Sequence, residues 1–165
     1  NQKNFKLLLN FFFQLSNKYP EYKLYILGEG EDRPILDNMI KDYKLTSKAF
    51  LLGYQDNVFK YLKYSDCFIL SSLWEDPGFV LIEAGAMNAN IIASNCPNGP
   101  QEIICDKDFL FNNDSVDDLL NKFEIFRGKS DTDLRNQRIN IKRKIKFYTS
   151  FQHYKKLDLI LNEKN

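Results

Sequence analysis

The sequence predicts an α/β protein built on a doubly wound, mainly parallel sheet, and three observations predict it. Short apolar runs alternate with longer segments whose apolar residues recur at helical spacing, the rhythm of a parallel sheet covered on both faces. Glycine-containing loops follow the apolar runs at Gly28, Gly53, Gly78 and Gly99, and in such sheets ligands bind beyond the carboxyl ends of the strands. A length of 165 residues is enough for one domain with a substantial core.

The elements follow in order. Phe5, Leu8, Leu9, Phe12 and Leu15 mark a helix that stops before Pro20. Lys23–Leu27 reads as a strand running into the Gly28-Glu29-Gly30 turn. Asp32 is placed to cap a helix whose inner face is Ile35, Leu36, Met39, Ile40 and Tyr43. Ala49–Leu52 is a strand, Asn57–Tyr64 a short helix and Cys67–Leu70 a strand. Gly78–Asn88 is a helix, Ile91–Ser94 a strand, Pro100–Cys105 a short helix and Phe109–Phe111 a last strand. Ser115 caps a helix through Phe126 that Gly128 ends, and helices over Asp131–Tyr148 and Phe151–Leu161 complete the chain. Residues 1–112 thus form the core of a single domain and 113–165 a helical tail, with five strands expected in one sheet.

Composition narrows the function. The formal net charge of +1 gives no global argument for nucleic acid. Cys67, Cys96 and Cys105 are an odd set without CxxC spacing, read as buried, reduced thiols in a cytosolic protein. No apolar run approaches the ~20 residues of a membrane span. Arg138, Lys142, Arg143, Lys144 and Lys146 are interleaved with Ile139, Ile141 and Ile145. They read as a solvated basic helix face, with peripheral contact to anionic lipid as the alternative. His153 sits in the tail helix, far from the glycine loops, and is read as an ordinary exposed or packed histidine.

The most informative stretch runs from Ser72 to Ala84. An apolar strand leads through Glu75, Asp76, Pro77 and Gly78 into a small-residue helix carrying Glu83, eight positions after Glu75. This places the amides of Gly78, Phe79 and Val80 at a helix N-terminus, where unpaired N–H groups and partial positive charge suit a phosphate. Glu83 follows ~7–8 Å along the axis at ~1.5 Å per residue. Two carboxylates flanking an anion cradle suit a nucleotide-sugar.

These residues resemble the signature of retaining glycosyltransferases of the GT-B fold, in the large group that includes lipopolysaccharide, capsule and mannosyl transferases. Further matches come in the family's order: Lys3-Asn4-Phe5, Leu24 to Gly30, Phe50 to Tyr54, and Ile91 to Ile103. The likeness covers about residues 3–112 and implies a Rossmann-like donor-binding domain, the C-terminal half of a GT-B fold. In the resembled family a strand ending in Arg precedes the first helix, so the chain is expected to lack its first strand, and with it an N-terminal acceptor-binding domain. A natural fragment of a broken gene is the alternative.

The resemblance also implies roles. Glu83 would accept hydrogen bonds from the ribose hydroxyls, and Glu75 would orient the donor sugar as the catalytic carboxylate. Lys3 would bind the diphosphate, as would the amides of Gly78, Phe79 and Val80, while Gly28 and Gly30 would let the backbone approach the nucleotide. Each has a plainer alternative: a surface Glu83, a helix-dipole acid at Glu75, a frayed Lys3, and simple turns at the glycines. A hydrolase-type acid pair is disfavoured by the phosphate-type helix start between the two glutamates. Glu102 is read as the start of a helix with Pro100 at its first position. The implied activity is metal-independent transfer of a hexose or N-acetylhexosamine from a UDP- or GDP-sugar to a surface polysaccharide or lipid-linked glycan, on the cytoplasmic side. The competing class is a non-catalytic doubly wound nucleotide-binding or interaction module. The DNA upstream of Asn1 separates the two.

Overall fold

The computed structural model describes residues 2–76 and 78–149, together with Gln152, Tyr154, Lys155 and Asp158. Of the helix expected over 151–161 only those four residues are described, all of them helical; His153 and Pro77 lie outside the described residues.

The order is α1 (Phe5–Lys18), β1 (Leu24–Leu27), α2 (Arg33–Asp42), β2 (Ala49–Gly53), α3 (Phe59–Tyr64) and β3 (Phe68–Leu70). Then come α4 (Phe79–Ala86), β4 (Ile91–Ser94), α5 (Pro100–Ile103), β5 (Leu110–Phe111), α6 (Val116–Gly128) and α7 (Asp131–Ile145). Single 3-10 turns, Lys107–Phe109 and Lys146–Tyr148, precede β5 and follow α7. Each element lies within a few residues of its expected position.

All strand pairs are parallel, as expected, but they form two sheets rather than one of five strands. β1 pairs with β2, and β3, β4 and β5 follow one another in a second sheet. β1 and β3 each pair on one side only, so among the described residues no strand bridges them.

The core explains why β4 is central. Ile91, Ile92, Ala93 and Ser94 are all 0 % exposed, as a parallel strand covered on both faces must be. Helix α1 buries a wide arc, Leu7, Leu8, Leu9, Phe11, Phe12 and Leu15, and Phe11 meets Phe123 of α6 edge-on at 5.7 Å, a favourable ring geometry. Helix α2 departs from its expected face: Leu36 and Ile40 are buried, but Ile35 is 44 % exposed. Asp32 does occupy the N-cap of α2, yet makes no capping bond. Its backbone is helical (φ −76°, ψ −6°) rather than in the extended region that aims a capping oxygen at the first amides. The Ser115 cap does form, its hydroxyl accepting from the Asp118 amide.

Helix α7 lies against α4, whose Gly85 permits the approach. A Cβ at Gly85 would sit 2.7 Å from Ile141 Cγ2 and 3.2 Å from Ile145 Cδ1. Gly85→Ala is favoured by about 1 kcal/mol of helix propensity, but overpacking costs ~1–3 kcal/mol, and Cγ2 of a β-branched residue cannot swing aside. A lowered urea midpoint at unchanged m-value is the expected result; a raised midpoint would show that the helices separate freely.

Candidate functional site

The site is assembled where Gln2, Lys3 and Asn4 meet the loop after β3. The Leu73 amide donates to Gln2 O at 2.8 Å, and Gln2 Nε2 donates to Trp74 O at 2.8 Å. Ser71 Oγ donates to Lys3 O at 2.7 Å. Asn4 Nδ2 reaches Asn113 O at 3.2 Å, and Asn113 Nδ2 reaches Leu73 O at 3.3 Å. Asn4 holds a left-handed backbone (φ 49°), a conformation that asparagine tolerates better than most side chains. The frayed terminus considered for Lys3 is therefore excluded: four of these hydrogen bonds, made by residues 2–4, hold the segment down.

These bonds bring Lys3 to Glu75. Lys3 Nζ lies 2.8 Å from Glu75 Oε1, with the lysine side chain 46 % exposed and that of the glutamate 5 %. The carboxylate thus forms part of the buried wall, while its counter-ion reaches solvent. Spacing along the sequence gives no sign of this pair, because its members are 72 residues apart. Beneath it, Ser94 Oγ donates to Ser72 O at 2.6 Å, and Ser72 Oγ is buried without a partner among the described residues. Burial pushes the neighbouring Cys96 thiol up, an effect opposed by a hydrogen bond with Ser94 and reinforced by the Glu75 charge. Cys96 is buried as expected, but Cys67 is only half-buried and Cys105, in the loop after α5, is exposed.

Gly78 stands at the N-cap of α4 with φ 78°, a conformation that favours glycine. A Cβ there would lie 3.5 Å from Glu75 Cβ, so the helix start and the first glutamate adjoin. Phe79 is 65 % exposed and Val80 half-buried. Glu83, one turn further, is half-buried.

A cleft of ≈ 310 Å³ opens beside Lys3, with Gln2, Gly28, Gly30, Asp32 and Arg33 among its walls. Gly28 has φ 108°, and a Cβ at Gly28 or Gly30 would meet nothing within 4 Å. Backbone conformation accounts for Gly28, and the space in front of both glycines is open. Lys3, Gly28 and Gly30 thus share one cleft, and Glu75 joins it through Lys3. Gly78, Phe79, Val80 and Glu83 are not among its walls.

Arg33 is a wall residue that the sequence does not single out. Its Nη1 donates to Glu29 Oε1 and its Nη2 to Leu51 O, both at 3.0 Å, pinning the glycine turn to β2. The available signal is the Glu29–Arg33 spacing of four, the distance of a helical ion pair. Glu102, read as part of a helix start, accepts from Tyr148 Oη at 2.7 Å, a contact that ties the end of α7 to α5.

Parallel strands with a glycine turn, a helix-start glycine and a buried acid at their carboxyl ends describe the Rossmann-like C-terminal domain of GT-B glycosyltransferases. The crystal structure of TarM superposes with a TM-score of 0.79 at 25% identity, covering 96% of this chain and 32% of that one. The chain belongs to the glycosyl transferases of group 1, whose family profile matches residues 1–145. It is 43% identical over 104 residues to an uncharacterized glycosyltransferase of Methanocaldococcus jannaschii, covering 63% of this chain and 26% of the relative. It is 33% identical over 107 residues to the N-acetylgalactosamine-N,N'-diacetylbacillosaminyl-diphospho-undecaprenol 4-alpha-N-acetylgalactosaminyltransferase of Campylobacter jejuni, covering 65% of this chain and 28% of that one. The matched region thus spans about a quarter of each relative.

Proposed function

We propose that this chain is the donor-binding part of a retaining glycosyltransferase. It takes a UDP- or GDP-sugar and passes a hexose or N-acetylhexosamine to a growing surface polysaccharide or lipid-linked glycan held by an N-terminal acceptor domain. The observation that carries the reading is the Lys3–Glu75 pair at the mouth of the glycine-walled cleft. Lys3 faces solvent and can turn to a diphosphate, releasing Glu75 Oε1 for a sugar hydroxyl. The amides of Gly78, Phe79 and Val80 then share the phosphate charge with Lys3, the preorganised electrostatics that assist a departing diphosphate. In this reading protein groups meet that charge in place of a metal ion. Glu83, whose carboxylate has no partner among the described residues, takes the ribose hydroxyls.

The test is calorimetric titration of the intact enzyme with UDP, GDP and ADP, followed by the corresponding sugar donors. Binding of UDP or GDP in clear preference to ADP, with turnover only in the intact enzyme, is the expected outcome. The 165 residues alone should bind nucleotide without transferring sugar. Robust turnover by the isolated chain, or no binding of any of the three nucleotides to the intact enzyme, removes the reading.

A further inference from the structure

Helix α7 carries a feature that sugar transfer does not use. Its inner face is fixed: Gln137 Nε2 donates to Ile91 O at 3.0 Å and Arg138 Nη1 to Asn90 Oδ1 at 2.6 Å. Ile141 is 2 % exposed, and the Tyr148–Glu102 bond secures the far end. With that face inward, Arg135, Ile139, Lys142, Arg143 and Lys146 fall on one outward arc of roughly 100° at ~3.6 residues per turn. Arg135, Lys142, Arg143, Lys144 and Lys146 are exposed, and none has a carboxylate partner among the described residues. Residues 134–149 contain no acid, although the whole chain is nearly balanced at +1. The excess of positive charge is therefore gathered here, since the rest of the chain holds 17 Lys and Arg against 22 acids. Two apolar side chains stand within it, Ile139 at 38 % and Phe147 at 62 % exposure.

We propose that this outward face of α7 docks the protein on an anionic lipid bilayer. The cations meet headgroup phosphates, and Ile139 and Phe147 enter the boundary between headgroups and acyl chains. Charge complementarity selects an anionic surface, and the apolar pair selects a lipid one, because a soluble polyanion offers Phe147 nothing apolar to enter. The contact is peripheral: no helix among the described residues is long and apolar enough to cross a membrane. The inference is independent of which nucleotide or sugar the cleft takes.

Vesicle co-sedimentation tests it, with phosphatidylcholine alone and with added phosphatidylglycerol. The chain should sediment only with the anionic vesicles, and less so as salt rises. Losing a cation should weaken binding about fivefold, so Lys142→Gln/Arg143→Gln/Lys146→Gln should cost on the order of a hundredfold. The charge-matched variant Lys44→Gln/Lys60→Gln/Lys63→Gln, altered at exposed sites elsewhere, should bind as the wild type does. Phe147→Ser should weaken vesicle binding while leaving binding to soluble heparin unchanged. All these positions face solvent, so matching circular dichroism spectra are expected. The proposal is overturned if the α7 triple variant binds anionic vesicles like wild type, or if the control variant loses as much. It is equally overturned if neutral vesicles bind the chain as well, or if Phe147→Ser has no effect on vesicle binding.

Discussion

Lys3→Met is expected to act twice, on stability and on nucleotide binding. It leaves the carboxylate of Glu75, whose side chain is only 5 % exposed, without its partner at 2.8 Å. Breaking a fully buried pair costs ~3–5 kcal/mol. Here the lysine side chain is 46 % exposed, so about 2 kcal/mol, within the ~1.5–3 kcal/mol range for hydrogen bonds to charged groups, is the better expectation. Nucleoside diphosphate affinity in the intact enzyme should fall about tenfold or more with loss of the cation. Glu75→Gln separates the two effects. The amide oxygen can still accept from Lys3, so free diphosphate binding should change little, while turnover of the sugar donor falls. In Lys3→Met/Glu75→Gln the stranded charge is gone and most of the stability should return, a coupling that a double-mutant cycle in urea measures. If the double variant is as unstable as the two losses added together, the pair is not what holds this wall.

Glu83→Gln in the intact enzyme should weaken nucleotide binding about tenfold or more. Accepting both ribose hydroxyls on one carboxylate is worth ~1.5–3 kcal/mol, and ~1.4 kcal/mol is a factor of ten. Glutamine keeps the shape but turns one acceptor into a donor, making one ribose contact unfavourable. A 2′-deoxy donor should therefore lose less against the variant than against the wild type. Titration calorimetry with the free diphosphate compares Glu75→Gln with Glu83→Gln directly. Should Glu75→Gln weaken binding and Glu83→Gln leave it intact, the two carboxylates have exchanged roles.

Much of the fold is legible in the sequence because it is local. Ile91–Ser94 is an uninterrupted small and apolar run and becomes the fully buried β4. Ser115 before a run of polar and apolar residues becomes a true cap. The glycine loops fall at strand ends, as parallel topology requires, and the order of motifs is enough to place the chain in its family. What fails is what depends on distant partners. Helical spacing assigns Ile35 to an inner face, but no element among the described residues covers it fully, and it stays 44 % exposed. Asp32 has the right chemistry for a cap, yet a helical backbone turns its side chain away from that role. The division into two sheets is a matter of which strand edges meet, which apolar content does not encode. In the site, Lys3 and Glu75 are visible as separate groups; their pairing across 72 positions is visible only in three dimensions.

The bonds that hold Gln2, Lys3 and Asn4 against the loop after β3 have a thermodynamic consequence for any ligand. The conformational entropy of that wall, of order 1–2 kcal/mol for each backbone residue fixed, is lost when the chain folds rather than when a ligand arrives. A ligand at this wall therefore meets a surface already ordered, and its affinity is set chiefly by its own lost freedom and desolvation. The Leu73 amide, bonded to Gln2 O, records this directly: its hydrogen exchange should be slow before binding and change little on saturation.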